Sequence, residues 1–194
     1  MNPIFQLPKY LLKRQVLALT GKFRFYDPAG SLIMFSEQKM FRLREDIRLF
    51  SDESKTREVL SIKARQILDF SAAYDVMDSE LNQKVGVLRR KGLRSLLRDE
   101  WEILDANDRL IGQLFEDSMG LALLRRFLLG SWLPQNYDIT LGGTRAADLR
   151  QRFHLFRYEL DLDFSMDTGR QLDRRLGIAA GILLAAIEGK QKGE

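Results

Sequence analysis

At 194 residues, 45% of them apolar and 10% aromatic, the chain can bury a sizeable core, and four prolines with no Ser/Gly-rich linker make residues 1–194 a single domain. The absence of cysteine excludes disulfides, thiolate zinc sites and cysteine nucleophiles. A net charge of +4, from 31 basic and 27 acidic residues, permits an anionic partner without requiring one.

The leading stretch, MNPIFQLPKYLLKR, has no basic start followed by a long apolar segment, so no secretory signal is expected and a cytoplasmic location is the default. From Tyr10 onward, short apolar or alternating runs of about 5–9 residues are separated by turn signals. They predict strands at 10–19, 21–26, 31–38, 45–51, 58–65, 72–78, 83–89, 99–104, 109–116, 136–141, 145–153 and 156–164. The last is the clearest, with Tyr158, Leu160, Leu162 and Phe164 alternating against Glu159, Asp161 and Asp163. Such a strand puts one face in a core and the other in water. Leu60, Ile62 and Ala64 against Ser61, Lys63 and Arg65 repeat the pattern.

One local unit recurs in FRFYDPAGSLIM (23–34), YDVMDSELNQKVG (74–86) and WEILDANDRLIG (101–112). Each runs from an aromatic strand through an Asp-led turn to a returning strand. Asp27, Asp78 and Asp105 are expected to bond the turn backbone, with Gly30 and Asn107 at positive φ. Gly86 and Gly112 fall inside returning strands, where a glycine marks a bulge or a close approach of backbone. A helix is predicted over Ser118–Leu129, with Gly130 as its stop and Pro134 beyond, although MGLALLRRFLLG also fits a buried strand.

The chain then reaches LDRRLGIAAGILLAAIEGK, a helix predicted over Leu172–Lys190. Residues 176–187 carry no charged or polar side chain, so this helix is apolar all round and must be buried. Twelve residues rise roughly 18 Å, against about 30 Å of bilayer hydrocarbon, so a protein core rather than a membrane is expected to surround it. Thr168 and Gln171 have capping-box spacing, and Gly189 stands where a C-terminal cap is expected. Gly177 and Gly181 each cost about 1 kcal/mol in a helix interior, which close approach of the surrounding wall, at Gly86 and Gly112, would offset. About twelve strands cannot stay flat and open. A mainly β fold, an antiparallel barrel of twelve strands enclosing the final helix, meets all of these constraints.

The paired hairpins YDVMDS…KVG and WEILDA…LIG, followed by YELDLDFS and LGIAAGILLAAIEG, resemble the LURP-one-related family over about residues 8–190. That family shares the Tubby C-terminal-like fold with Tubby and the phospholipid scramblases. The resemblance implies a twelve-stranded barrel threaded by a hydrophobic C-terminal helix. LURP-one-related proteins mostly have no assigned biochemical activity, and the likeness to Tubby and the scramblases implies contact with anionic phospholipid or phosphoinositide headgroups. No Tubby headgroup-binding position matches here, and the scramblases' calcium pattern does not continue beyond Leu160–Asp163.

The strongest charge cluster is Arg89, Arg90 and Lys91, followed by Arg94 and Arg98. At a strand end these residues could clamp a phosphorylated headgroup or a nucleic acid backbone, and a solvated hairpin tip would have the same sequence. A lipid is the expected anion and nucleic acid is not. Lys9, Lys13, Arg14, Lys22 and Arg24 form a looser basic row, as alternating outward positions would without any ligand. Asp161, Asp163, Asp167 and Asp173 fail the calcium-loop pattern, which needs Gly and Glu where Met166 and Leu172 stand. His154 has no nucleophile elbow or second catalytic signal beside it, and its neighbours Phe153, Leu155 and Phe156 place it at a core edge. Gly142-Gly143-Thr144 is too short for a phosphate loop and lacks the following lysine. No enzyme, cofactor or metal is expected. The rival reading is a structural or protein-interaction module with no affinity for lipid.

Overall fold

The computed structural model describes residues 1–15, 20–39, 46–65, 72–91, 100–117, 135–152, 154 and 157–191. Within them the chain forms β1 (Lys9–Gln15), β2 (Thr20–Tyr26), β3 (Leu32–Lys39), β4 (Ile47–Phe50), β5 (Glu58–Ala64) and β6 (Ala73–Asp78). It continues through β7 (Gln83–Arg90), β8 (Glu100–Leu104), β9 (Leu110–Glu116), β10 (Asn136–Leu141), β11 (Thr144–Arg152) and β12 (Arg157–Asp163) to a helix, α1 (Arg174–Gln191). Each strand pairs antiparallel with its neighbours in sequence, and β1 closes on β12 to complete a barrel. The predicted helix over Ser118–Leu129 lies outside the described residues.

Alternation sorts the strands as the sequence implies. In β12, Tyr158, Leu160 and Leu162 are fully buried, while Asp161 and Asp163 stay partly exposed. In β5, Leu60 and Ile62 point inward and Lys63 outward. α1 takes up the centre of the ring, with Leu176, Ile178, Ile182, Leu183 and Leu184 buried in one continuous core with the strands' inner faces. The sheet leaves no unpaired edge, and the helix has no solvent face over residues 174–186.

The glycines do not face one another as the sequence suggested. A Cβ at position 177 would lie 2.5 Å from Phe164 Cζ, and one at 181 would lie 3.0 Å from Leu162 Cδ2. The hollows in the helix therefore receive large side chains of the β12 region rather than backbone. Gly86 does face the helix, with Leu176 Cδ2 3.1 Å from the Cβ position, whereas Gly112 is pressed against Leu141 and the Thr140 carbonyl of the next strand. The helix boundaries shift too. Asp173, not Thr168, caps α1 by accepting from the Arg175 amide at 3.0 Å, and the helix continues through Gly189 to Gln191.

Because the strands alternate in direction, the turns at 27–31, 51–57, 79–82, 105–109 and 142–143 share one end of the barrel with the start of α1. Asp27 accepts from the Ser31 amide at 2.8 Å, Asp78 from those of Glu80 and Leu81 at 3.0 and 2.9 Å, and Asp105 from those of Asn107 and Arg109 at 2.8 and 2.9 Å. A fourth such turn, missed in the sequence, is led by Asp52, which accepts from the Ser54 amide at 2.8 Å. Its left-handed residue is Lys55 (φ 57°), a poor turn signal, and in the Asp105 turn that residue is Asp108 (φ 63°) rather than Asn107. Register shifts in β2, β4, β6, β8 and β10 each precede one of these turns.

The leading segment lies across the same end. Tyr10 on β1 donates its hydroxyl to the Ile4 carbonyl at 2.9 Å and accepts from the Leu7 amide at 3.1 Å. On the opposite side of the ring, Asn2 donates to Glu80 at 3.0 Å. Between these anchors a single 3-10 turn, Pro3–Phe5, buries Phe5 completely.

Candidate functional site

The end of β7 carries the cations that the sequence singles out. Period-two geometry divides them. Gly86 faces α1, so Leu88 and Arg90 also turn inward, while Arg89 and Lys91 turn outward. Arg90 is partly buried, paired in register with the core residue Trp101, and so does not belong to an external cluster. Expecting Arg89, Arg90 and Lys91 to act as one clamp overlooks this parity. Arg94 and Arg98 lie outside the described residues.

The two outward cations meet glutamates on β8. Arg89 places Nε and Nη2 2.7 and 2.6 Å from Glu102 Oε2. Lys91 Nζ lies 2.6 Å from Glu100 Oε1 and 4.0 Å from Glu102 Oε1. The Arg89 side chain remains 48% exposed, so this is a wet surface pair, a type worth about 0–1 kcal/mol. A phosphate oxygen can displace a partner held that weakly, because charge-assisted and bidentate contacts to phosphate are the stronger kind.

The second basic row is a ladder of pairs on the outer wall. Lys9 meets Asp163 at 2.8 Å, Lys13 meets Glu159 at 3.7 Å, Lys22 meets Glu37 at 3.6 Å and Arg24 meets Glu53 at 2.6 Å. Arg14 leaves the row. It is buried inside the barrel and donates to the Ala185 carbonyl of α1 at 2.5 Å. A cation there also suits the negative half of the helix dipole.

Each of the four acids considered for calcium is matched with a different cation. Asp161 takes a two-pronged contact from Arg152 at 2.5 and 2.7 Å, and Asp163 takes Lys9. Asp167 takes Arg174 at 2.6 Å, and Asp173 takes Arg175 at 2.5 Å. Among the described residues no group of three or more metal-binding side chains occurs. His154 is exposed rather than at a core edge.

Two buried ion pairs at the start of α1 are not evident in the sequence, where Arg174 and Arg175 read only as flanking charges. Arg175 reaches Asp78 on β6 at 2.5 Å, and Asp78 is 1% exposed. Arg174 sits 4.8 Å above the Phe164 ring and bonds both the carboxylate and the carbonyl of Asp167. Asp167 also accepts from the Gln171 and Leu172 amides at 2.9 and 3.0 Å. Burial pushes its carboxyl up, but Arg174 and these amides outweigh burial and hold it below its ordinary value. These pairs join the helix to the wall and leave no free charge for chemistry.

The sequence profile described as LURP-one-related matches residues 32–185. A solved X-ray structure of a protein from Arabidopsis thaliana is similar with a TM-score of 0.48 and 14% identity, covering 94% of this chain and 93% of that one. No curated protein matches the sequence.

Proposed function

This chain belongs to the LURP-one-related family, and we propose that it is a non-catalytic barrel that binds anionic phospholipid or phosphoinositide headgroups at the outer end of β7. The observation that carries this reading is the outward pair of cations at the end of β7, the exposed Arg89 and the partly buried Lys91, followed in sequence by Arg94 and Arg98. α1 fills the interior of the barrel, which supports binding at the outer surface rather than inside the ring. No helix among the described residues is long and apolar enough to cross a membrane, and contact with a lipid surface is taken to be peripheral, from the cytoplasmic side.

Liposome flotation tests the reading. Arg89→Glu with Arg90→Glu and Lys91→Glu should abolish binding to phosphoinositide vesicles. Arg90 faces inward, so the melting temperature is followed in parallel, and Arg89→Glu with Lys91→Glu alone should retain most of the loss. Glu100→Gln with Glu102→Gln, which frees the two cations, should bind more tightly than wild type. Equal binding by wild type and the charge-reversed proteins would overturn the reading. A second reading, a protein-interaction module without lipid affinity, is favoured by the large apolar side chains exposed at the opposite end of the barrel.

A further inference from the structure

Strand register places a second arginine beside Arg89. Ala73 on β6 stands directly opposite Arg89 on β7. On the other side of β6, the pairing with β5 runs one step past the end of β5, and the Arg65 amide donates to the Ala73 carbonyl at 2.8 Å. One step back, Ala64 is paired with Tyr74, and Tyr74 belongs to the core. Arg65, Ala73 and Arg89 therefore share the outer face. Neighbouring strands lie about 4.8 Å apart, which sets the two arginines roughly 10 Å from each other at the backbone. Only the partly exposed methyl group of Ala73 stands between them. On β1, β2, β3 and β12, register instead sets Lys9 opposite Asp163, Lys13 opposite Glu159 and Lys22 opposite Glu37. In the row through Ala73, a side chain too short to fill the gap takes the place between two cations.

Both arginines are paired, but neither is used up. Arg89 gives Nε and Nη2 to Glu102. Arg65 gives Nε and Nη2 to Asp75 at 2.9 and 2.7 Å, and Nη2 also reaches Asp108 at 2.7 Å. In each, Nη1 has no acceptor among the described residues. An anion can thus bond both groups without displacing either carboxylate. Lys63 adds a third positive charge beside them. It is exposed, and Asp75, its partner in register, is taken up by Arg65 at 2.7 Å and Lys84 at 3.6 Å.

Two donors on separate strands call for an anion with several free oxygens and more than one charge. A phosphomonoester has three such oxygens and about −1.5 to −2 charge near neutral pH. A phosphodiester has two and a single charge, which matches one arginine rather than two.

We propose that Arg65, Ala73 and Arg89 form a shallow basin on the outer wall, with Lys63 at its rim, that takes a phosphomonoester. The basin extends the headgroup site proposed above, on which it rests, from β7 across β6 to β5.

Flotation with two kinds of phosphatidylcholine vesicle tests it, one carrying phosphatidic acid, a phosphomonoester, and the other carrying phosphatidylglycerol, a phosphodiester, at matched surface charge. Wild type should bind the first more tightly. Arg65→Gln should weaken that binding about 10-fold or more, the worth of one lost bond to a charged group. Ala73→Leu, which fills the floor, should do the same, and Lys63→Gln should cause a smaller loss. Arg65→Gln also loosens the contacts with Asp75 and Asp108, so its melting temperature is followed. Ala73→Leu and Lys63→Gln break no ion pair among the described residues and should melt as wild type does. Glycerol 3-phosphate in solution separates two sources of the same chemistry: a basin for lipid binds the vesicles more tightly, and a basin for a soluble ligand binds the free compound at least as well. Equal binding to the two vesicles overturns the phosphomonoester. If Arg89→Glu abolishes binding while Arg65→Gln, Ala73→Leu and Lys63→Gln bind as wild type does, the basin is overturned and the site on β7 stands. If wild type binds neither vesicle, the headgroup reading itself fails.

Discussion

Gly177 and Gly181 look alike in the sequence, but their surroundings differ. A methyl group at 177 would meet the end of the Phe164 ring, which has little freedom to withdraw. Tyr10 packs edge-on against that ring at 5.8 Å, and the Arg174 guanidinium covers it at 4.8 Å. Gly177→Ala should therefore lose about 1–3 kcal/mol despite the better helix propensity of alanine. At 181 the nearest atom is a terminal methyl of Leu162 at 3.0 Å, which can shift by a few tenths of an ångström. Gly181→Ala should stay within about 1 kcal/mol of wild type. Urea midpoints of the two variants decide the point, and equal losses would mean that the packing at 177 is no tighter than at 181. The sequence marks both positions as anomalous for a helix. Naming the intruding side chain requires knowing which part of the wall lies beside each turn, and that is tertiary information.

For the helix as an element, the ends matter more than propensity. α1 is apolar on every face, so hydrophobicity places it indoors without fixing its height or rotation in the ring. The ion pairs Asp78–Arg175 and Asp167–Arg174 fix the start, and the contact of Arg14 with Ala185 holds a point further along. Asp167 also gives the element a pH dependence. Its carboxyl is held below the ordinary value in the folded state, so its contribution to stability is fully present above about pH 4. That contribution fades as the pH falls through the depressed native value. Asp167→Asn should cost about 3 kcal/mol at neutral pH, because it leaves Arg174 buried without its counter-charge. The gap from wild type should close as unfolding is measured in progressively more acid buffer, and a pH-independent gap would assign the loss to the turn amides instead. This capping arrangement is poorly legible in sequence, since Thr168 and Gln171 imitate a capping box while Asp167 and Asp173 hold the amides.

At the scale of the whole molecule, short apolar or alternating runs between turn signals were enough to find all twelve strands, and their number together with the all-round apolar helix was enough to infer that they close. The candidate site was less legible. A run of three cations reads as one cluster, but along a strand successive side chains change faces, and the parity that sends Arg90 inward depends on register with β8. The fold makes a direct prediction about loss of the helix. Leu176, Ile178, Ile182, Leu183 and Leu184 are all buried, and deleting the chain from Leu176 onward removes an upper bound of about 7–15 kcal/mol of burial. That rivals the net stability of a domain. The truncated chain should be insoluble or should bind hydrophobic dye without a cooperative melting transition. A soluble truncate that melts cooperatively would show that the barrel can repack without its centre.

The position of α1 after β12 has a consequence for biosynthesis. β1 must wait for β12 before the ring can close, and both must wait for α1 before the inner faces have anything to pack against. At about 5–20 residues per second, a ribosome needs roughly 10–40 s to make the 194 residues. For most of that time strands accumulate without the helix that completes their shared core. Chaperones that shield unpaired strands should therefore engage this nascent chain late and let go abruptly, once α1 has emerged.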